Sequence, residues 1–252
     1  MAVLCYNYYP MITPNLPANI DLLQWAGPDD PAYIASGLVH CSRIPEEASR
    51  AQPAPAVVMV HGWGGDESVM WIFKQAIPAG VAIITPRAPF ELDQGGYSWF
   101  IKTQNQRRQP AQESVQQAVQ TFEQFVEALP RLYPIDPARL VLIGFSQGAA
   151  LITAYTLTNP ERVSRVAVLA GAMTLNVPEV DLHFALLAGL PVFMAHGLDD
   201  DTVPVDEARQ TRDTYLAAGA DVTYNEYKTG HKVNSQGMRD LKDWLAKVVG
   251  NR

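Results

Sequence analysis

The sequence predicts an α/β chain built on a mostly parallel, doubly wound sheet flanked by helices. Two observations carry that expectation. Short, continuously apolar runs recur from residue 56 onward, the pattern of strands buried on both faces. Between them lie stretches whose apolar side chains recur three and four residues apart, the pattern of helices that pack on a sheet by one face. Strand alternating with helix implies parallel strands joined by helical crossovers. The length, 252 residues, suits one large domain, because no linker interrupts its middle and a chain this size buries a sufficient core without disulfide or metal staples.

Taken in order, residues 1–50 differ from the rest and read as an N-terminal extension packed on the main domain, 51–252. Pro10, Pro14, Pro17, Pro28 and Pro31 punctuate an irregular surface stretch, since proline removes a backbone donor and fixes φ. Residues 33–44, YIASGLVHCSRI, read as a strand, and Pro45, Pro53 and Pro55 mark a connector. AVVMV (56–60) is a buried strand stopped by His61-Gly62, and VAIIT (81–85) is another, stopped by Pro86. Residues 111–129 place Val115, Ala118, Val119, Phe122, Phe125, Val126 and Leu129 on one helical face, with Pro110 just before the start. RLVLIG (139–144), RVAVLAG (165–171) and PVFMAHG (191–197) are further strands, and 147–158 and 205–218 are helices. DVTYNEY (221–227) alternates as a strand near an edge would, and Met238, Leu241, Leu245 and Val248 share one face of a last helix.

Composition narrows the function classes. With 48% hydrophobic and 18% charged residues the chain is ordinary globular protein. A net charge of -7 argues against nucleic-acid or anionic-membrane partners, and the one basic cluster, Lys102, Arg107 and Arg108, is too small to change that. The two cysteines, Cys5 and Cys41, form neither a disulfide framework nor a metal-ligand spacing, and free thiols are expected. No apolar run approaches the roughly 18 residues that a membrane helix needs. The first residues carry no basic start and are broken by Asn7 and Pro10, so no integral membrane association and a cytoplasmic location are expected.

The strongest chemical signal is Gly144-Phe145-Ser146-Gln147-Gly148 between a strand and a helix. A G-x-S-x-G at that junction places the serine on a sharp, strained turn where its hydroxyl is exposed, and the flanking glycines let two backbones approach where a Cβ would collide. Such a serine needs a neighbouring base. Of the five histidines, His231 alone follows the acid candidates, on a loop after the strand at 221–227. Asp199, Asp200 and Asp201 each qualify as the acid that orients the imidazole, and chemistry alone does not choose among them. A metal held by the three carboxylates is disfavoured, because consecutive side chains diverge. His61-Gly62-Trp63-Gly64-Gly65 follows an early strand, so the amides of Trp63 and Gln147 are the expected donors to a developing oxyanion. This glycine-rich turn lacks the nucleotide-loop patterns.

His61-Gly62-Trp63-Gly64, Ser98-Trp99-Phe100, the GFSQGA run from Gly144 to Ala149, His196-Gly197 with Asp200 and Val203-Pro204, and Gly230-His231 together resemble the phospholipase/carboxylesterase family of α/β-hydrolases, which includes the acyl-protein thioesterases. The matches span residues 56–250 in the family's order. The resemblance implies an α/β-hydrolase fold, a Ser146–His231–Asp200 triad (the family's HGxxDxxVP pattern selects Asp200), a small-molecule ester substrate and no cofactor. Departures are Trp63 where many members carry a smaller aliphatic residue, the segment 172–190, and the N-terminal 50 residues. The expected activity is hydrolysis of carboxylic esters with short to medium acyl chains. The alternatives are an acyl-thioesterase or lysophospholipase with the same triad, or a non-catalytic binding module that keeps the fold. Loops at the carboxyl ends of the strands should supply the acyl pocket, with Trp63, Met70, Trp99, Met173 and Phe184 as its lining and Tyr97, Leu182 and Leu187 nearby. The oligomeric state is not readable from the sequence.

Overall fold

Strand β7 (Ile135–Phe145) is the spine of the molecule. In a computed structural model, which describes residues 23–101, 110–174 and 187–250, it lies at the middle of an eight-stranded sheet of order β1-β2-β4-β3-β7-β8-β9-β10. Its neighbours are β3 (Ala54–Val60) and β8 (Arg165–Leu169), and the sheet continues through β4 (Ala82–Pro86) on one side and β9 (Pro191–Gly197) on the other. All these pairings are parallel, as is that of β9 with the edge strand β10 (Asp221–Tyr227). Val60, Gly144, Val168 and Met194 stand in one row across the four central strands. The loops after β3, β7, β8 and β9 therefore leave the sheet at one level.

The runs 56–60, 140–143, 166–169 and 192–195 of the central strands are apolar because both faces are covered. Val58, Val60, Leu142, Val168 and Met194 point into one core layer, where they meet α2 (Gln112–Leu132) and α3 (Gln147–Thr158) through Phe122, Phe125, Leu151, Ile152 and Tyr155. The alternate residues Val57, Met59, Ile143 and Phe193 point into the other, against the 3₁₀ segment Val69–Ala76 and α5 (Ser235–Gly250), which contribute Trp71, Phe73, Leu241 and Trp244. Helix α3 is buried almost all round, since it lies between the sheet and α2, and its sequence is accordingly nearly devoid of charge. The exposed flank of α4 (Val205–Ala217) carries the charged residues instead.

Two sequence expectations are corrected at the N-terminal side. Residues 33–44 are not one strand: Pro31–Ser36 forms a short helix, α1, and only His40–Arg43 is extended, as β2. The reason is local. Asp30 caps the helix by accepting the Ala32 amide, Pro31 opens it, and Gly37 at φ 77° closes it, a start and stop that outweigh the β-branched and aromatic content of the stretch. Gln24–Ala26, within the irregular stretch, pairs as β1 with β2. Both β1–β2 and β2–β4 are antiparallel, so the sheet is mixed at this edge. A small hairpin, β5 (Phe90–Glu91) with β6 (Tyr97–Ser98), stands apart from it. Among the described residues no helix is long and apolar enough to cross a membrane.

The core makes one direct prediction. Phe122 is fully buried, and its ring meets those of Trp99, Phe125 and Tyr155 at centroid distances of 6.3, 6.4 and 5.3 Å. Phe122→Ala should lower the unfolding free energy by about 3–5 kcal/mol, read from the midpoint of urea denaturation.

Candidate active site

The site begins where β7 turns into α3. Ser146 sits between them at φ 53° and ψ -115°, its amide donating to the Leu169 carbonyl of β8 at 2.9 Å. The turn is tight enough that a Cβ on Gly144 would stand 2.5 Å from the Gly148 carbonyl oxygen, and one on Gly148 would stand 2.2 Å from that of Val60. Both positions therefore require glycine, and together they bring the first turn of α3 against β3 and β7. The amide of Gln147 opens that turn, where helical N–H groups have no intrahelical acceptor.

Two loops supply the partners. After β9, Asp200 turns inward and is wholly shielded from solvent, with Oδ1 accepting the amides of Thr202 and Val203 at 2.9 Å each. Asp199 and Asp201 are exposed. After β10, His231 brings Nδ1 within 2.8 Å of Asp200 Oδ2 and Nε2 within 2.9 Å of Ser146 Oγ. A carboxylate accepts from Nδ1–H, which leaves Nε2 to accept from the serine hydroxyl. The loops lace to each other through Leu198 N–H to the Tyr227 carbonyl and Asp199 N–H to the Thr229 carbonyl. The Phe145 ring lies 5.2 Å from the imidazole. A second histidine, His196, donates from Nε2 to the Val203 carbonyl at 2.8 Å and stands 3.5 Å from Asp200 Oδ2. Three residues far apart in sequence thus form one hydrogen-bonded chain that can draw a proton from a hydroxyl.

The loop after β3 closes the site from the other side. A Cβ on Gly62 would stand only 3.2 Å from Ser146 Cβ, so this loop abuts the serine. His61 is fully buried: Nδ1–H donates to the Gly62 carbonyl at 2.7 Å, and Nε2 accepts the Ala88 amide at 3.0 Å. Burial lowers its pKa to about 4, partly offset by the Gly62 carbonyl, which keeps the imidazole neutral at neutral pH. The Gln147 side chain accepts the Trp99 amide at 2.9 Å and reaches Ser98 Oγ, holding the 98–100 segment at the wall. Beside Ser146 opens a cavity of about 410 Å³. Trp63, Phe100, Ala150 and Met173 form an apolar side and Asp201 and Glu207 line an acidic margin.

Residues 40–249 match the family described as Phospholipase/Carboxylesterase. The chain belongs to the phospholipase/carboxylesterase family. It is 29% identical over 220 residues to an acyl-protein thioesterase 1 of Kluyveromyces lactis, covering 80% of this chain and 96% of that protein. An acyl-protein thioesterase 1 of Emericella nidulans is 28% identical, covering 77% and 90%. A solved carboxylesterase from Mesorhizobium loti superposes with a TM-score of 0.72 at 21% identity, over 83% of this chain and 94% of that one. The chain is accordingly a hydrolase with the α/β-hydrolase fold, a serine hydrolase of the phospholipase/carboxylesterase family.

Within this phospholipase/carboxylesterase chain, the residues named for the pocket divide. Trp63, 49% exposed, and Met173 border the cavity. Met70 and Trp99 do not. Met70, 2% exposed, lies in the core layer of Met59 and Phe73 on the far face of the sheet. Trp99, 1% exposed, packs on Phe122 and donates its indole N–H to the His61 carbonyl at 2.8 Å. A large side chain at a loop's start is drawn into the core when the core is within its reach, because apolar area gains more there than at a wet surface. Leu187 is likewise core, and Tyr97 lies beneath the Arg87 guanidinium. Phe184, Leu182, Cys5, Lys102, Arg107 and Arg108 lie outside the described residues. The supporting contacts of Gln147, Phe145 and His196 were missed, because no local pattern marks a side chain whose partner is set by folding.

His61 ties stability to pH. In the unfolded chain an imidazole protonates near 6.5, whereas the folded form resists protonation down to about 4. The unfolded state therefore binds more protons between those values, and stability falls as pH drops through that window. Urea titrations at pH 7, 6 and 5 should show a falling midpoint. His61→Gln should remove up to about one proton from that slope, or about 1.4 kcal/mol per pH unit.

Proposed function

We propose that the chain hydrolyses carboxylic esters of small molecules through a Ser146–His231–Asp200 triad. The observation that carries this reading is the unbroken hydrogen-bonded chain from Ser146 Oγ through His231 to the shielded Asp200, at the edge of a cavity large enough for an acyl group. In this reading Ser146 Oγ attacks the acyl carbonyl while His231 Nε2 takes its proton. The amides of Gln147 and Trp63 receive the negative charge that develops on the carbonyl oxygen. His231 passes the proton to the departing alcohol, leaving an acyl-serine. It then takes a proton from water, whose oxygen attacks the acyl carbon, and returns that proton to Ser146. Asp200 fixes the Nδ1–H tautomer and stabilises the imidazolium.

A half-exposed Trp63 and an apolar wall around about 410 Å³ suit a short to medium acyl chain. Thioester cleavage is the second reading, favoured by the curated relatives, which are named acyl-protein thioesterases. It uses the same residues, because a thioester carbonyl is attacked in the same way.

Two experiments test the proposal. Ser146→Ala and His231→Ala should each lower kcat by roughly three powers of ten or more, and the double variant should lose little beyond either. Asp200→Asn should cost far more than Asp199→Asn or Asp201→Asn, since only Asp200 meets His231. Esterase activity that survives Ser146→Ala would falsify the triad. In a kcat/KM series over p-nitrophenyl esters, with one acyl-thioester alongside, the optimum should fall at short to medium acyl length. A rising trend to long chains contradicts the pocket assignment.

A further inference from the structure

We infer that Trp25, from a strand that lies before residues 40–249, is a positioning residue for the oxyanion loop. The inference rests on the proposed role of the Trp63 amide and deepens it. The loop that carries Trp63 is stapled to strand β6: Gly64 N–H donates to the Tyr97 carbonyl at 2.9 Å, and Tyr97 N–H donates to the Gly65 carbonyl at 3.0 Å. Tyr97 is in turn fixed by Arg87, whose guanidinium lies 4.7 Å above its ring and donates to its hydroxyl at 3.2 Å. Arg87 makes a forked pair with the buried Glu67, both contacts at 2.5 Å. Glu67 belongs to the same loop as Trp63, so this arrangement grips the loop at two points just after Trp63, at Gly64-Gly65 and at Glu67.

Trp25 completes it. Its indole N–H donates to Glu67 Oε1 at 3.1 Å, on the oxygen that also receives Arg87 Nη2. The ring stays at 45% exposure, so packing alone does not account for its place. Its pose is set by Gly27, where an added Cβ would stand 2.2 Å from the indole ring. The amide of Arg87 donates to the Val39 carbonyl, just before β2. The segment from Trp25 to Val39 thus touches both members of the ion pair. A forked arginine–carboxylate pair has one geometry rather than many, and a third donor on the carboxylate narrows it further. A misplacement of about 1 Å can cost on the order of a hundredfold in rate, so a contact that holds the loop bearing an oxyanion donor can reach the rate.

Variants at Glu67 or Arg87 would strand a buried charge and confound rate with folding. The test therefore uses the exposed end of the chain of contacts. Trp25→Phe removes the N–H and keeps the bulk, and Gly27→Ala displaces the ring by another route. Each is measured for kcat and KM on p-nitrophenyl butyrate, for Tm, and for inhibition by a short alkyl trifluoromethyl ketone, which forms a tetrahedral oxyanion adduct on a serine. Both variants should lower kcat about five- to tenfold with KM within about twofold and Tm within about 2 °C. Ketone affinity should fall by the same factor as kcat/KM. Unchanged kcat and ketone affinity in Trp25→Phe overturns the inference, as does a loss confined to KM or to Tm. Ser146→Ala, run alongside, separates the two levels: if it is inactive while Trp25→Phe is normal, the triad stands and the brace does not. If Ser146→Ala is active, the underlying reading fails first.

Discussion

Ser146 holds a backbone conformation, φ 53° and ψ -115°, that an L-residue adopts only where its surroundings impose it. What imposes it is the meeting of three elements at one point. β7 delivers the chain, α3 carries it away, and the Leu169 carbonyl of β8 takes the serine amide. The two glycines on either side permit the approach, and no larger residue fits at either. The hydroxyl is thereby lifted clear of the sheet, and the first amide of α3 lies beside it. The rest of the site consists of loops that must reach this fixed point.

They reach it because the central strands are in register. The row Val60, Gly144, Val168 and Met194 brings the carboxyl ends of β3, β7, β8 and β9 to a common level. The Asp200 and His231 loops follow neighbouring strands, β9 and β10, so the hydrogen bonds between them extend the pairing of those strands beyond the sheet. A carboxylate and an imidazole borne on laced loops have little freedom, and the entropy of aligning them is lost when the sheet forms.

Behind the reacting groups the polar residues are held in fixed roles. His61 is kept neutral by burial and serves as a hinge pin between the loop after β3 and Ala88. His196 touches the same carboxylate as His231 but gives its N–H to the Val203 carbonyl. Glu67 and Arg87 pair beside the loop after β3. His61, His196, Glu67 and Arg87 each have a hydrogen-bond partner, which is the condition for tolerating such groups in the interior.

The parallel strands from AVVMV onward, the helices read over 111–129 and 147–158, the last helix's face of Met238, Leu241, Leu245 and Val248, and the serine turn were legible in the sequence because each is a local pattern. Periodicity reports the face that a segment buries, and G-x-S-x-G reports a turn made within five residues. The strand expected over 33–44 failed at the same local level, since Asp30-Pro31 starts a helix there. The family's pattern picked Asp200 out of three adjacent aspartates, whereas only the tertiary structure decided that Met70 and Trp99 belong to the core and that Trp25 touches Glu67. Each of these depends on the distance between segments that lie far apart in the chain. That distance is set by sheet register and packing across layers, to which a single segment's periodicity is blind.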